Sequence, residues 1–396
     1  MAISLSPLNL PASADASKFA DFGRQVEGVN PGSLNPEEFE QVRDALYKHS
    51  VLLFRDVSLS PEQQYALTKA FDPQSESYGH GNNQTEQKKH SILHPYIKTI
   101  PRVPQVQLIG HGTVYDHEGI PEAVLKHAHH SSFHKTRISA EDEAKGATRF
   151  YRWHMDAALY DLAPPHVTTL YGLGVPKGPR QTCRYDVGTN DELSVSLGTT
   201  AFVSGRTMFN ILPPELKSLA VRSRVKYAPH PYTWMAPAHA LSTGLGLETE
   251  GLELPFDQLP PWEESKIQIL PMAWQNPVTG ELHLQAHPCA AAEIFVDPLP
   301  AGSKREGALY PDGAHLTELK EVRDILYKIQ RPAIAPSLVY PHDWNENDLV
   351  LFHNRGVLHS IVGVFGPDQV RIFHQCNLAA SDLPVGPSAA DIEKWA

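Results

Sequence analysis

Cysteine is scarce in this chain. Cys183, Cys289 and Cys376 are an odd number with no CxxC pair among 396 residues, which excludes a disulfide framework and a Cys-type zinc site. Positive charge is short as well. Lys and Arg total 34 against 45 Asp and Glu, a net charge of −11, so the basic footprint of a nucleic-acid binder is missing. No apolar run reaches the ~18 residues of a membrane helix, and no basic segment followed by an apolar stretch opens the chain. There is no internal repeat, and the 34 Pro and 26 Gly stay well below the ~25–30% that marks low complexity. The expectation is a soluble, cytoplasmic protein with neither a nucleic-acid nor a membrane partner.

What is present is a core and a surplus of imidazole. Apolar residues make up 41% of the chain, and there are 21 histidines, which direct attention to metal or proton chemistry. Asn35, Pro36 and the Phe39, Val42, Leu46 spacing predict a helix over 35–49; Ser60, Pro61 and Gln63 start another. Further helices are expected at 213–223 and 316–330. Strands are expected at 167–175, 181–186, 200–204, 349–353 and 370–377. Helices in front and strands in the middle and at the end indicate an α+β fold with an antiparallel sandwich or barrel. The whole of 1–396 reads as one catalytic domain. It carries an irregular insert at 73–148, expected to cover an active site, and a Pro-rich insert at 231–315.

His154 and Asp156 stand two apart, so on an extended segment both side chains face one way and both reach one ion. Alone this means little, since about one H-x-D is expected by chance at such a histidine count. The second element is 345–360, where an apolar strand, Leu349 to Phe352, precedes Asn354, Arg355 and His359. His154, Asp156 and His359 make a two-His, one-carboxylate set, which binds Fe(II) on one face and leaves positions open for a chelating keto acid and O2. Zinc favours a more closed, nitrogen- or sulfur-rich site. Arg371, on the next strand, is the natural fork for a buried carboxylate, and Thr182 offers a hydroxyl to the same group. In isolation Arg371 is an ordinary strand cation and Thr182 an ordinary strand threonine; the ordered set raises both.

WHMD, RQT, DLVLFHNRGVLH and VRIF, in that order, resemble the taurine-dioxygenase superfamily of Fe(II)/2-oxoglutarate oxygenases. His353 stands where members often carry Asp before Asn-Arg. FDPQSESYGHG, PQVQLIGHG, LKHAHH, TRFYRWHMDAALYDL, YAPHPYTWM and HQCNLAA resemble more narrowly the fungal xanthine dioxygenases, or xanthine hydroxylases, nearly end to end. The resemblance implies a double-stranded β-helix (jelly-roll, cupin-like) core with flanking helices. It implies Fe(II), 2-oxoglutarate as co-substrate and O2, and hydroxylation of xanthine at C8 to urate with succinate and CO2 as co-products. It also points to Lys126, Glu141 and Asp142 as substrate-site residues, although Glu141 and Asp142 equally suit a solvated charged loop.

The residue types fit a purine better than a sulfonate. Sulfonate-specific relatives place a second Arg where this chain has Gln375, and a sulfonate without its cation would be a buried unpaired charge. Gln375 and Asn377 alternate on one strand face, as do Gln105 and Gln107, and amides read oxo and N–H edges together. Two alternatives stay open: an oxygenase of the same superfamily acting on another small molecule, and a cupin-like binding protein or zinc hydrolase.

Overall fold

The computed structural model describes residues 3–75 and 98–396. Its first two helices are set by their ends. Asn35 and Ser60 accept hydrogen bonds from the backbone three residues on, while Glu38 and Gln63 bond back. These are two capping boxes, each followed by a proline in the first turn, and the helices run Pro36–His49 and Pro61–Ala70. Pro214–Arg222 and Leu319–Gln330 form the other two expected helices.

The larger sheet has nine strands. Ser4–Pro7, Arg24–Glu27, Val51–Phe54, Asp348–His353, Val167–Gly174, Arg371–Asn377, Val103–His117 and Lys98–Ile100 lie side by side in that order, with Ile120–Leu125 also paired to Val103–His117. A smaller sheet, Tyr340–His342, Thr200–Ser204 and Val357–Ile361, is antiparallel throughout. The strand Asp348–His353 shows why an unbroken apolar run is extended here. Leu349 and Leu351 pack with Val42, Leu46 and Leu67 of the helices, whereas Val350 and Phe352 pack with Phe202, Tyr340 and Val357 of the smaller sheet. Successive side chains go to opposite faces, and both faces are covered. The result is the expected α+β jelly-roll core with flanking helices.

One insert needs correction. Residues 76–97 lie outside the described residues, but 98–125 is not irregular. Val103–His117 is a 15-residue strand paired with Arg371–Asn377 from Arg371 opposite His111 to Cys376 opposite Val106. Val106, Leu108 and Val114 are buried on one face, and Gly110 and Gly112 stand between them there and break the apolar signal. Gly110 is required by proximity: a Cβ there would fall 1.8 Å from the Arg371 carbonyl oxygen. The Pro-rich 231–315 stretch, expected as an insert between strands, carries strands of its own. It contributes Ile269–Pro271, Ala291–Val296 and Ala314–Leu316 to a four-stranded sheet with Ser223–Tyr227, packed with Val322, Leu326 and Ile329 in the largest apolar cluster.

Candidate active site

Trp153 and Met155 are fully buried in the large apolar cluster. The alternation of an extended segment therefore turns His154 and Asp156 the other way. His154 and His359 bridge backbone to backbone, N–H to carbonyl in both directions (2.9 and 2.8 Å), which fixes the H-x-D segment against the Val357–Ile361 strand. The structure thus brings His154, Asp156 and His359 together, with ligand atoms all within 4.8 Å of one another. Nε2 of His154 lies 3.8 Å and Nε2 of His359 3.6 Å from Asp156 Oδ1, too long for hydrogen bonds and suited to a shared ion.

The donors are oriented for that ion. His154 Nδ1 lies 2.8 Å from the Arg152 carbonyl and donates to it, leaving Nε2 with a bare lone pair. Burial pulls His359 down to about 3 and lowers His154 too, so both rings are neutral, as metal ligation demands. Asp156 uses its two oxygens differently. Oδ2 accepts from the Thr168 hydroxyl (2.7 Å) and the Gln375 amide (3.1 Å), while Oδ1 faces the histidines. Burial opposes the charged carboxylate, but the attraction of His359 and His154 when protonated, with bonds from Thr168 and Asn377, outweighs it and holds its pKa below the usual range. Asn354 clamps the backbone: it accepts from Asp156 N–H and donates to Asp156 C=O, both at 2.8 Å. Two imidazoles and one oriented carboxylate, with no fourth such donor in the group among the described residues, are the donor set of a mononuclear Fe(II) oxygenase.

Arg371 opens the strand that carries Gln375 and Asn377. It is 2% exposed, its guanidinium carbon stands 3.6 Å over the Phe373 ring, and its Nε has no partner. Among the described residues no carboxylate pairs with it, and burial alone pulls it down to about 9. A buried cation without a counter-charge is costly, so this is a ready place for a carboxylate. Gly198 adopts φ +75°, and a Cβ there would stand 3.4 Å from Arg371 Cδ and Nε. Thr182 is half-buried, paired with Ala147 and Ser194. Its neighbour Gln181, overlooked in the sequence, leaves a buried Oε1 unpartnered, and this atom would stand 3.3 Å from a Cβ at Gly363, itself beside Gly198.

The amides group as the alternation suggested, but they serve one another first. Gln107 lies opposite Gln375 and reaches Asn377 at 3.5 Å; Gln105, half-buried, shares the Gln107 face by alternation. The charged residues go elsewhere. Lys126 is exposed just past the Ile120–Leu125 strand. Glu141 and Asp142 sit on the short helix Ala140–Ala144, where Glu141 pairs with Lys145 at 2.6 Å and Asp142 with Arg184 at 3.0 Å. Lys126, Glu141 and Asp142 are expected at the substrate; in this structure the two acids pair with neighbouring cations. The acid of that helix that turns inward is Glu143, 2.7 Å from His130 and 3.4 Å from His129. Sequence reasoning also missed Thr168, which looks like any strand threonine, and His287, whose ring is 6.3 Å from that of His154 across a long stretch of chain.

Comparison with known proteins agrees with this geometry. The family model described as "Taurine catabolism dioxygenase TauD, TfdA family" matches residues 14–377. A protein of Emericella nidulans named alpha-ketoglutarate-dependent xanthine dioxygenase xanA is 52% identical over 382 residues, covering 96% of this chain and 98% of the relative. The Schizosaccharomyces pombe protein named alpha-ketoglutarate-dependent xanthine dioxygenase xan1 is 50% identical, covering 98% and 91%. Among solved structures, a taurine dioxygenase from Burkholderia xenovorans superposes with a TM-score of 0.56 at 19% identity, over 98% of this chain and 92% of that one, a likeness of fold.

Proposed function

This chain belongs to the TauD, TfdA dioxygenase family, and we propose that its reaction is hydroxylation of xanthine at C8: xanthine, 2-oxoglutarate and O2 give urate, succinate and CO2. The enzyme is an Fe(II)- and 2-oxoglutarate-dependent dioxygenase. The observation that carries our site assignment is the divided Asp156 carboxylate, with Oδ2 occupied by Thr168 and Gln375 and Oδ1 turned to two bare imidazole nitrogens. The activity named for the two relatives supports the substrate.

Fe(II), when bound, couples oxidative decarboxylation of the keto acid to oxygen insertion at a C–H bond. The chain's own part is positioning. His154, Asp156 and His359 hold the ion through three protein atoms and leave the rest of its coordination to small molecules. Arg371 takes the distal carboxylate of 2-oxoglutarate, its unpartnered Nε supplying one donor, with Thr182 and Gln181 on the adjoining strand. Thr168, Gln375, Asn377 and Asn354 keep Asp156 from rotating. Gln107 and Gln105 extend that amide layer toward the substrate, and the free end of the Gln375 amide touches the purine. Lys126, Glu141 and Asp142 stay outside the pocket in this reading. A cytoplasmic setting is part of it, in line with three free, buried cysteines; among the described residues no helix is long and apolar enough to cross a membrane.

The test is direct. Protein, Fe(II), 2-oxoglutarate and xanthine are mixed under nitrogen and then aerated. Urate absorbance with one succinate per urate is expected, and taurine or an aryloxy acid in place of xanthine should give no coupled product. Absence of urate, or urate formed without 2-oxoglutarate, contradicts the reading.

A further inference from the structure

Most arginines that are not fully exposed are accounted for by partners in the protein. Arg149 meets Asp186, Arg323 meets Glu253, Arg331 meets Asp191, Arg55 meets Asp348, and Arg222 is held by three backbone carbonyls. Among the described residues, two half-buried or buried arginines have neither a carboxylate nor a carbonyl partner: Arg371, and Arg152, two residues before His154. The Arg152 guanidinium carbon stands 4.2 Å over the Phe133 ring and 5.5 Å from that of Tyr151, and its Nε is buried without a partner. Its own carbonyl is the acceptor for His154 Nδ1, so its backbone is tied to the metal group.

A second unpartnered donor stands nearby. His287 is fully buried, and its Nδ1 accepts from Cys289 N–H at 3.3 Å. Because Nδ1 accepts, the ring proton sits on Nε2, and that nitrogen has no partner. The Tyr232 ring meets it edge-on at 5.9 Å. A stacked guanidinium and an imidazole N–H, both buried and both unused, adjoin a metal group whose amide side is already hydrogen-bonded to itself.

We propose that Arg152 and His287 form the subsite that grips an oxygen-bearing edge of the purine, a proposal that rests on the xanthine reading above. The anion of an oxopurine presents a carbonyl oxygen beside a deprotonated ring nitrogen, and the planar arginine fork matches two such acceptors, as it does the O6 and N7 atoms of guanine in DNA. A weakly acidic oxopurine suits the site doubly, because its anion cancels the unpaired Arg152 charge. His287 Nε2–H donates to an acceptor of the same ring. Specificity follows from the unmet donors: a base lacking the oxygen would leave them stranded.

The experiment compares wild type with Arg152→Gln, Arg152→Lys and His287→Phe, measuring KM for xanthine and for 2-oxoglutarate, kcat, bound iron and succinate released per urate. Loss of a buried donor at the substrate should raise the xanthine KM of Arg152→Gln roughly 10- to 100-fold, with Arg152→Lys between it and wild type. The KM for 2-oxoglutarate and the iron content should stay close to wild type, and succinate should exceed urate. The wild-type xanthine KM should fall as pH rises through the first ionisation of the substrate, and that fall should flatten in Arg152→Gln. An unchanged xanthine KM, or parallel loss of iron and of 2-oxoglutarate affinity, would overturn the proposal and make Arg152 a structural cation. Should wild type form no urate, the reading of the reaction fails and the subsite falls with it; urate from wild type with an indifferent Arg152→Gln sinks the subsite alone.

Discussion

Two largely buried arginines flank His359, and they differ in what surrounds them. Arg355 donates to the Pro164 carbonyl at 2.9 and 3.0 Å and to the Asp382 carbonyl at 2.6 Å, and pairs with the Asp382 carboxylate. Arg371 has a ring beneath it and no acceptor within the described protein. The first is a staple; the second is a vacant donor whose burial makes sense only with a ligand. The same contrast divides the walls of the site. On the strand side Thr168, Gln375, Asn377 and Asn354 spend their hydrogen bonds on Asp156. On the other side Arg152 and His287 have spent none on a protein acceptor with the atoms that matter. Satisfied groups hold the shape, and unsatisfied buried donors mark where small molecules go.

The largest effect should come from the group on which both walls converge. Asp156→Ala, His154→Ala or His359→Ala should abolish urate formation and stoichiometric iron binding while far-UV circular dichroism stays native. A variant that keeps near-normal turnover with full iron would remove that residue from the ligand set.

The arginine pair is next. Arg371→Leu should raise the 2-oxoglutarate requirement by the ~2–5 kcal/mol that a buried charge pair carries, leaving the xanthine requirement nearly alone. Arg355→Leu should do the reverse of this in kind. It strands the Pro164 and Asp382 carbonyls, at ~1–3 kcal/mol for each unsatisfied group, and lowers the denaturation midpoint without moving the 2-oxoglutarate KM. Identical phenotypes would erase the distinction. Saturating 2-oxoglutarate at a hundred times its Kd should stabilise the wild type by ~2.7 kcal/mol, a shift that Arg371→Leu loses and Arg355→Leu keeps.

Gln375→Ala and Asn377→Ala probe the satisfied wall. Because both amides orient a metal-bound carboxylate, the expected loss is roughly 10- to 100-fold in iron affinity or activity, read by iron titration. A change confined to the xanthine KM would instead place these amides on the substrate alone.

The metal group, Arg371 and most strands were legible because their signals are local. His154 and Asp156 lie two apart, and Leu349 to Phe352 is a run whose extended form needs only two covered faces. The Val103–His117 strand was not legible, since Gly110, which admits the Arg371 backbone, and Gly112 remove apolar side chains from its buried face. The partners of Glu141 and Asp142, Lys145 and Arg184, are announced by no spacing. His287 and Tyr232 reach the site from a segment that reads as a proline-rich insert, and Arg152 is conspicuous only once the partners of the other buried arginines are laid out.

The smallest expected effect is on acid stability, and it tests groups that play no part in either wall. Burial pulls His134 and His283 down to about 4. The folded state keeps them neutral, while the unfolded chain takes up protons near about 6.5. Their contribution is present above that pH and is lost as pH falls toward 4. The urea midpoint should therefore drop between pH 7.5 and 5; a midpoint that rises over that interval would contradict the sign.

The account is tested most directly by a crystal structure of the complex with Fe(II), 2-oxoglutarate and xanthine, prepared under nitrogen. It should show the distal carboxylate of 2-oxoglutarate on Arg371, an oxygen-bearing edge of the purine on Arg152 and His287 Nε2, and the Gln375 bond to Asp156 intact. A purine held by Gln375 and Asn377, with that bond broken and Arg152 still unpartnered, would contradict it.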